Sequence, residues 1–170
     1  MNTSTVKLYS LDYKEAKTYI IAMMFVVGNI LFPQLCHTVN LGGPTWLPIY
    51  FFTLVGAYKY GWKVGLLTAI LSPVINSMFF GMPAPQVLPA ILGKSVLLAV
   101  MAGYTANRFK RISILLLLAV VLGYQIAGSI LEWALTGSIY TAIQDFRIGI
   151  PGIALQIFGG YFFIKYLIRR

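Results

Sequence analysis

Residues 112–135 read ISILLLLAVVLGYQIAGSILEWAL, twenty-four residues with a single charged group, at Glu132. A helix of that length is about 36 Å long, enough to cross the roughly 30 Å hydrocarbon core of a bilayer. The run Ile112 to Ala119 does not alternate apolar and polar residues, as a membrane barrel strand must. With no water in the bilayer core, every backbone polar group has to be paired internally. The stretch therefore reads as a transmembrane helix.

Working outward, similar apolar stretches occur at Thr18–Leu35, Thr45–Ala57, Val64–Phe80, Gln86–Ala106 and Ile148–Leu167. Together they predict an all-α, polytopic membrane protein with six transmembrane helices in one domain over residues 1–170. The second stretch is short and begins with Pro44 and Pro48, so its outer end is expected to be bent or irregular. Composition agrees. The chain is 59% hydrophobic and only 10% charged, whereas a soluble domain is about a quarter charged. The first stretch follows Lys7, Lys14 and Lys17, is full length, and lacks a small-residue cleavage site, so it reads as a retained span rather than a signal peptide.

Lysine and arginine in short loops mark the cytoplasmic side. Lys7, Lys14 and Lys17 precede the first stretch; Lys59 and Lys63 follow the second; Arg108, Lys110 and Arg111 follow the fourth; Lys165, Arg169 and Arg170 close the chain. These eleven of the thirteen basic residues share one side if there are six spans with both termini cytoplasmic. The net charge of +9 then faces the anionic lipids of the cytoplasmic leaflet and requires no nucleic acid.

The two remaining basic residues are Lys94, inside the fourth span, and Arg147, at the outer end of the sixth. A lysine within a span is expensive unless it faces the bundle interior, a wet cavity or a partner charge. Glu132 in the fifth span is the candidate partner. Gln125, Gly128, Ser129 and Glu132 follow i, i+3, i+4, i+7 and form one polar or small face. Gly65, Thr68, Ser72 and Asn76 form another in the third span, and Gly152, Gln156, Gly159 and Gly160 a third in the sixth. Small residues on such faces permit close helix packing. The scarce polar groups gather in the outer halves: His37, Asn40, Trp46, Tyr50, Asn76, Gln86, Glu132, Trp133, Tyr140, Gln144, Asp145 and Arg147. Interfacial anchoring and solvated loops account for Tyr140 and Asp145. Lys94 with Glu132 and Gln125 points instead to a ligand site or to a structural ion pair, and both readings stand.

Several chemistries are excluded. Gly93-Lys94-Ser95 mimics the end of a phosphate-binding loop, but Leu88 stands where that motif needs glycine, and the tripeptide lies within a span. There is no His-Glu-x-x-His zinc motif and no Gly-x-Ser-x-Gly nucleophile turn. One histidine and one cysteine do not make an ordinary metal site, and a single intramembrane carboxylate makes a thin proton relay. No metal or cofactor is expected.

The loops HTVNLGGPTWLP (37–48) and GMPAPQVLP (81–89) are uncharged at neutral histidine and dense in proline and glycine, which fix irregular backbone. Both are extracytoplasmic in this topology and suit a lid over an outward-facing pocket for a small molecule.

Leu41-Gly42-Gly43-Pro44, Leu47-Pro48-Ile49 and Gly56-Ala57-Tyr58-Lys59-Tyr60-Gly61-Trp62-Lys63-Val64-Gly65, followed by Leu71-Ser72-Pro73, Gly81-Met82-Pro83 and Gly103-Tyr104, resemble the substrate-binding S components of energy-coupling factor transporters. The resemblance covers roughly residues 20–106. It implies a non-catalytic subunit of a bacterial cytoplasmic membrane that captures a vitamin or related micronutrient from outside. It further implies partnership with a transmembrane T component and two ATPase subunits, and delivery by toppling within the bilayer. The family's first-helix contact with the T component, alanine–three residues–alanine, is partly matched by Ala22, Val26 and Gly28. Metal-ion members carry an N-terminal histidine motif that Met1-Asn2-Thr3 lacks. Where related sequences often carry glutamate in the fourth span, this chain has Lys94, which suggests an anionic ligand held by Lys94, with Arg147 as a second contact. Trp46, Tyr50 and Trp133 would enclose its apolar body, with Asn76, Gln86, Gln125 and Glu132 as further lining candidates. Alternatively Glu132 cancels Lys94 and leaves a neutral pocket. A stand-alone carrier and an integral membrane enzyme are the competing function classes.

Overall fold

A computed structural model describes residues 7–38 and 42–168. Asn40 and Leu41, the terminal Arg169 and Arg170, and Met1-Asn2-Thr3, all used in the reading above, lie outside the described residues. The regular structure among the described residues is entirely helical, with no strands. Helices α1 (Ala16–Cys36), α4 (Trp62–Phe80), α5 (Leu88–Phe109), α6 (Ile114–Thr136) and α9 (Ile150–Leu167) are each long and apolar enough to cross a membrane. Their outer surfaces carry exposed Ile20, Met24 and Leu31 of α1, Leu115, Ile126 and Ile130 of α6, and Phe158 and Phe162 of α9. Large apolar side chains facing outward over several helices suit lipid and not water.

The second predicted span is irregular at its outer end, as its two prolines lead one to expect. It breaks into a short helix α2 (Gly42–Trp46), a 3-10 turn (Pro48–Tyr50) and α3 (Phe51–Tyr60). The turn and α3 together reach only about 20 Å, less than the roughly 30 Å of a bilayer core. Helix α3 lies at the centre of the bundle. Phe51 and every residue from Thr53 to Lys59 are buried, as expected of a helix apolar on all sides. Gly65 of α4 lies against Ala57 of α3, and a Cβ on Gly103 of α5 would come within 2.6 Å of the Trp62 backbone.

A buried polar network fastens α1, α3 and α4. Asn29 donates to Thr53 Oγ1 at 3.0 Å and to Ser72 Oγ at 3.2 Å, and its Oδ1 accepts from the Phe52 amide at 3.2 Å. Pro33 lacks the N–H that would pair with the Asn29 carbonyl one turn earlier in α1. Asn76 supplies the missing donor: its Nδ2 lies 3.0 Å from the Asn29 carbonyl and 2.9 Å from the Ser72 carbonyl. Asn76 is thus a structural residue, corrected from the predicted lining set. Asn76→Leu leaves a buried carbonyl unpaired and should destabilise the chain by about 1–3 kcal/mol, read as a lower unfolding midpoint in detergent.

The two ends of the bundle differ. At one end the N-terminal segment lies on the α3–α4 turn, with the Tyr9 and Leu11 amides donating to the Lys59 and Tyr60 carbonyls. Tyr58 donates to the Arg111 carbonyl at 2.8 Å and brings the α5–α6 loop to the same end. Lys7, Lys17 and Lys59 place their ammonium groups 5.3–5.5 Å from the centre of the Tyr9 ring, and Lys63 pairs with Asp12. That exposed pair holds the Asp12 carboxyl below its ordinary value, chiefly through the Lys63 hydrogen bond. The opposite end carries α2, the 81–87 loop, and two one-turn helices between α6 and α9: α7 (Ile139–Ala142) and α8 (Gln144–Arg147).

Candidate functional site

At this second end lies a cavity of about 290 Å³, near the lower limit of the roughly 300–1,000 Å³ typical of small-molecule sites. Pro33 and His37 line it from the end of α1, Gly43, Pro44 and Leu47 to Tyr50 from the first loop and the 3-10 turn, Met82, Pro83 and Val87 from the second loop, and Ile91 from α5. Both proline- and glycine-rich loops therefore border the same space. Helix α2 is pressed onto α9, where a Cβ on Gly152 would come within 2.5 Å of the Trp46 carbonyl group. Leu47, which ends this cover, is held at φ +47°, a left-handed conformation rare outside glycine and asparagine, directly before Pro48.

The charged wall is built from three elements. Lys94 leaves α5 and lays its stem across Gly128 of α6, where a Cβ would come within 2.5 Å of Lys94 Cγ. Its ammonium then meets Glu132, one turn further along α6, at 2.5 Å. The same Nζ donates to Asp145 Oδ2 of α8 at 2.8 Å. The chain reaches α8 because Gly137 closes α6 in a left-handed turn and the Ser138 side chain caps α7. Half of the four acidic residues in the sequence thus converge on one lysine. Glu132 was anticipated. Asp145, read above as a solvated loop residue, is buried and is the correction with the largest consequence. With two carboxylates on its ammonium, Lys94 is already engaged, and the three groups carry a formal charge of −1.

Tyr50 borders the cavity and packs against Tyr124, with ring centres 5.6 Å apart and the ring planes tilted by 54°. Behind it, Tyr124 donates to Gln156 Oε1 at 2.8 Å and accepts from Gln125 Nε2 at 3.0 Å. Gln125 is therefore one layer behind the cavity wall, not on it.

Comparison with protein-family models, with curated proteins and with solved structures finds no match to this chain.

Of the predicted ligand residues, then, Lys94, Glu132 and Tyr50 meet around the cavity. Trp46 and Trp133 are exposed on the outer surface and Gln86 is exposed in the turn before α5. Arg147 also turns outward: its guanidinium sits 3.8 Å over the exposed Tyr140 ring and donates to the Tyr140 hydroxyl at 2.7 Å. Arg147→Ala and Trp133→Ala should change ligand capture by no more than roughly twofold, the size of an ordinary surface substitution, as measured by equilibrium binding. The expected partner contact is corrected as well. Ala22 and Val26 are each 1% exposed, and a Cβ on Gly28 would come within 2.9 Å of the Phe52 ring. The accessible face of α1 is formed by Tyr19, Ile20, Met23, Met24, Val27, Leu31 and Leu35.

Lining residues that the sequence reading placed neither in the site nor in the two loops, besides Asp145, are Pro33, Ile49, Ile91 and Thr141, and Gln144 was named only among the outer polar groups. A signal existed for Asp145 alone. Lys94 in a span needs compensation, and the acidic residues outside the basic end number only two, Glu132 and Asp145.

Proposed function

We propose that this chain is the substrate-binding S component of an energy-coupling factor type importer in a bacterial cytoplasmic membrane. It captures a small vitamin-like molecule from the extracytoplasmic side and performs no catalysis itself. The observation that carries the reading is the cavity at the end of the bundle remote from the clustered lysines, bordered by both proline- and glycine-rich loops and walled by Lys94, Glu132 and Asp145. Under the positive-inside rule the lysine-rich end is cytoplasmic, so the cavity faces outward. In this reading α2, the 3-10 turn and α3 together make the second of six crossings, the irregular backbone being tolerated because it is buried against protein or borders the cavity. Both termini are then cytoplasmic. A T component and two ATPase subunits supply the energy, and the apolar exposed face of α1 is the surface through which the bundle meets the T component or lipid.

The test is purification of the tagged chain from its native membrane in mild detergent. The reading expects one further membrane subunit and two ATP-binding subunits to be retained, with ATP hydrolysis by the complex and none by the chain alone. Substrate turnover by the isolated chain, or solute flux through it in vesicles without ATPase subunits, overturns it.

A further inference from the structure

We infer that the cavity selects a ligand bearing a positively charged nitrogen, such as a protonated amine, an amidine or an alkylated heterocyclic nitrogen, and that it discriminates against anions. The inference rests on the capture reading above and specifies its ligand.

Three observations lead to it. The first is the charge balance. One ammonium faces two carboxylates, and Arg147, the other cation of this end, is turned outward onto Tyr140. The remaining lining side chains include no further carboxylate, ammonium or guanidinium, and the His37 imidazole lies beside Gly43. The second is the order in which an entering molecule meets these groups. The Lys94 side chain is 4% exposed, whereas those of Glu132 and Asp145 are each 12% exposed. The carboxylates are the more accessible members of the cluster and the ammonium the less accessible. The third is hydrogen-bond capacity. Two ionised carboxylates offer about eight acceptor positions and one ammonium three donors. Acceptors therefore remain in excess after both contacts to Lys94 are made.

The surroundings amplify this bias. Pro33, Pro48, Ile49, Val87 and Ile91 give the cavity apolar walls, and a charge pair is several-fold stronger there than in bulk water. A cation meeting Glu132 and Asp145 completes the neutralisation that Lys94 leaves half done. An anion meets the surplus formal negative charge of the two more accessible carboxylates, and Lys94, the less accessible partner, is already paired with both. Because Glu132 belongs to α6 and Asp145 to α8, a ligand cation between them also ties the 137–149 connection to the bundle, so binding and closure of that edge are coupled.

Four probes of one size and one ring separate the alternatives: benzamidine and benzylamine as cations, benzyl alcohol as the neutral reference, and benzoate as the anion. Binding to the purified full chain in lipid nanodiscs at pH 7 is followed by calorimetry and by displacement of the co-purified ligand. The cations should bind at least about tenfold more tightly than benzoate, about 1.4 kcal/mol of discrimination. Asp145→Asn and Glu132→Gln each bring the cluster to zero net charge and should narrow that ratio to less than about threefold. Having two such variants guards against one of them unfolding. Benzoate binding as tightly as the cations, no response to any probe, or a cation preference unchanged in both amide variants overturns the inference. The subunit reading fails separately. Loss of co-purifying ATPases with the cation preference intact removes the importer and leaves the site, and the reverse result removes the ligand class and leaves the importer.

Discussion

Lys94→Ala should destabilise the chain by about 3–5 kcal/mol, the range found when one member of a buried ion cluster is removed and its partners are left uncompensated. Glu132 and Asp145 both lie within 2.8 Å of the Lys94 ammonium, so its loss leaves two carboxylates facing each other at the edge of an apolar bundle. The stem adds to the loss, because it fills the groove over Gly128. Detergent unfolding curves for Lys94→Ala, Lys94→Met and the triple variant Lys94→Met, Glu132→Gln, Asp145→Asn separate the two contributions. Methionine retains much of the stem but not the charge, so it should remain strongly destabilised. The triple variant removes all three charges and should recover most of the stability, since uncharged replacements of a buried ion cluster are commonly near neutral. It should not recover cation binding. Stability without capture in that variant would mean that the cluster serves ligand selection more than folding.

Gly152→Ala should weaken capture by about tenfold or more while lowering stability by only about 1–3 kcal/mol, the usual range for overpacking. The added methyl would come within 2.5 Å of both the carbon and the oxygen of the Trp46 carbonyl, and within 2.9 Å of Leu47 Cβ. Backbone cannot rotate out of the way as a side-chain tip can, so α2 has to lift from α9. Leu47 and the 3-10 turn that follows form part of the cavity wall, and their displacement spoils the pocket without disturbing the buried core around α3. Equilibrium binding with a parallel unfolding curve checks both halves. Gly128→Ala provides an internal comparison at the charged wall, where the conflict is with Lys94 Cγ and the effect should fall more on stability.

The long helices were legible because hydrophobic length is a local property. The predicted fifth span, Ile112–Leu135, became α6 at Ile114–Thr136, and the predicted first, Thr18–Leu35, became α1 at Ala16–Cys36. The second was harder. Pro44 and Pro48 marked its outer end as irregular, but an apolar stretch does not reveal that its helix is buried against protein on nearly every side, as α3 is. The site was legible in part. Lys94 stood out as costly within a span, and Glu132 shared the small-residue face that carries its stem. Asp145 did not stand out, because the segment Gln144 to Arg147 looks like a solvated loop until the turn at Gly137 folds it back. Asn76 was misassigned for a similar reason. Its role depends on Pro33, forty-three positions earlier, which deprives the Asn29 carbonyl of its partner in α1. Aromatic residues near the membrane surface were the weakest guide: of Trp46, Tyr50 and Trp133, only Tyr50 turns inward.

The most direct test of capture is to denature the protein purified from cells grown in rich medium and identify the small molecules released by mass spectrometry, with Lys94→Met and the triple variant as controls. The account predicts one vitamin-like compound at near-stoichiometric amount, carrying a basic or permanently cationic nitrogen and depleted in the triple variant. Reproducible absence of any bound compound, or a bound carboxylic acid or phosphate without a cationic nitrogen, would contradict it.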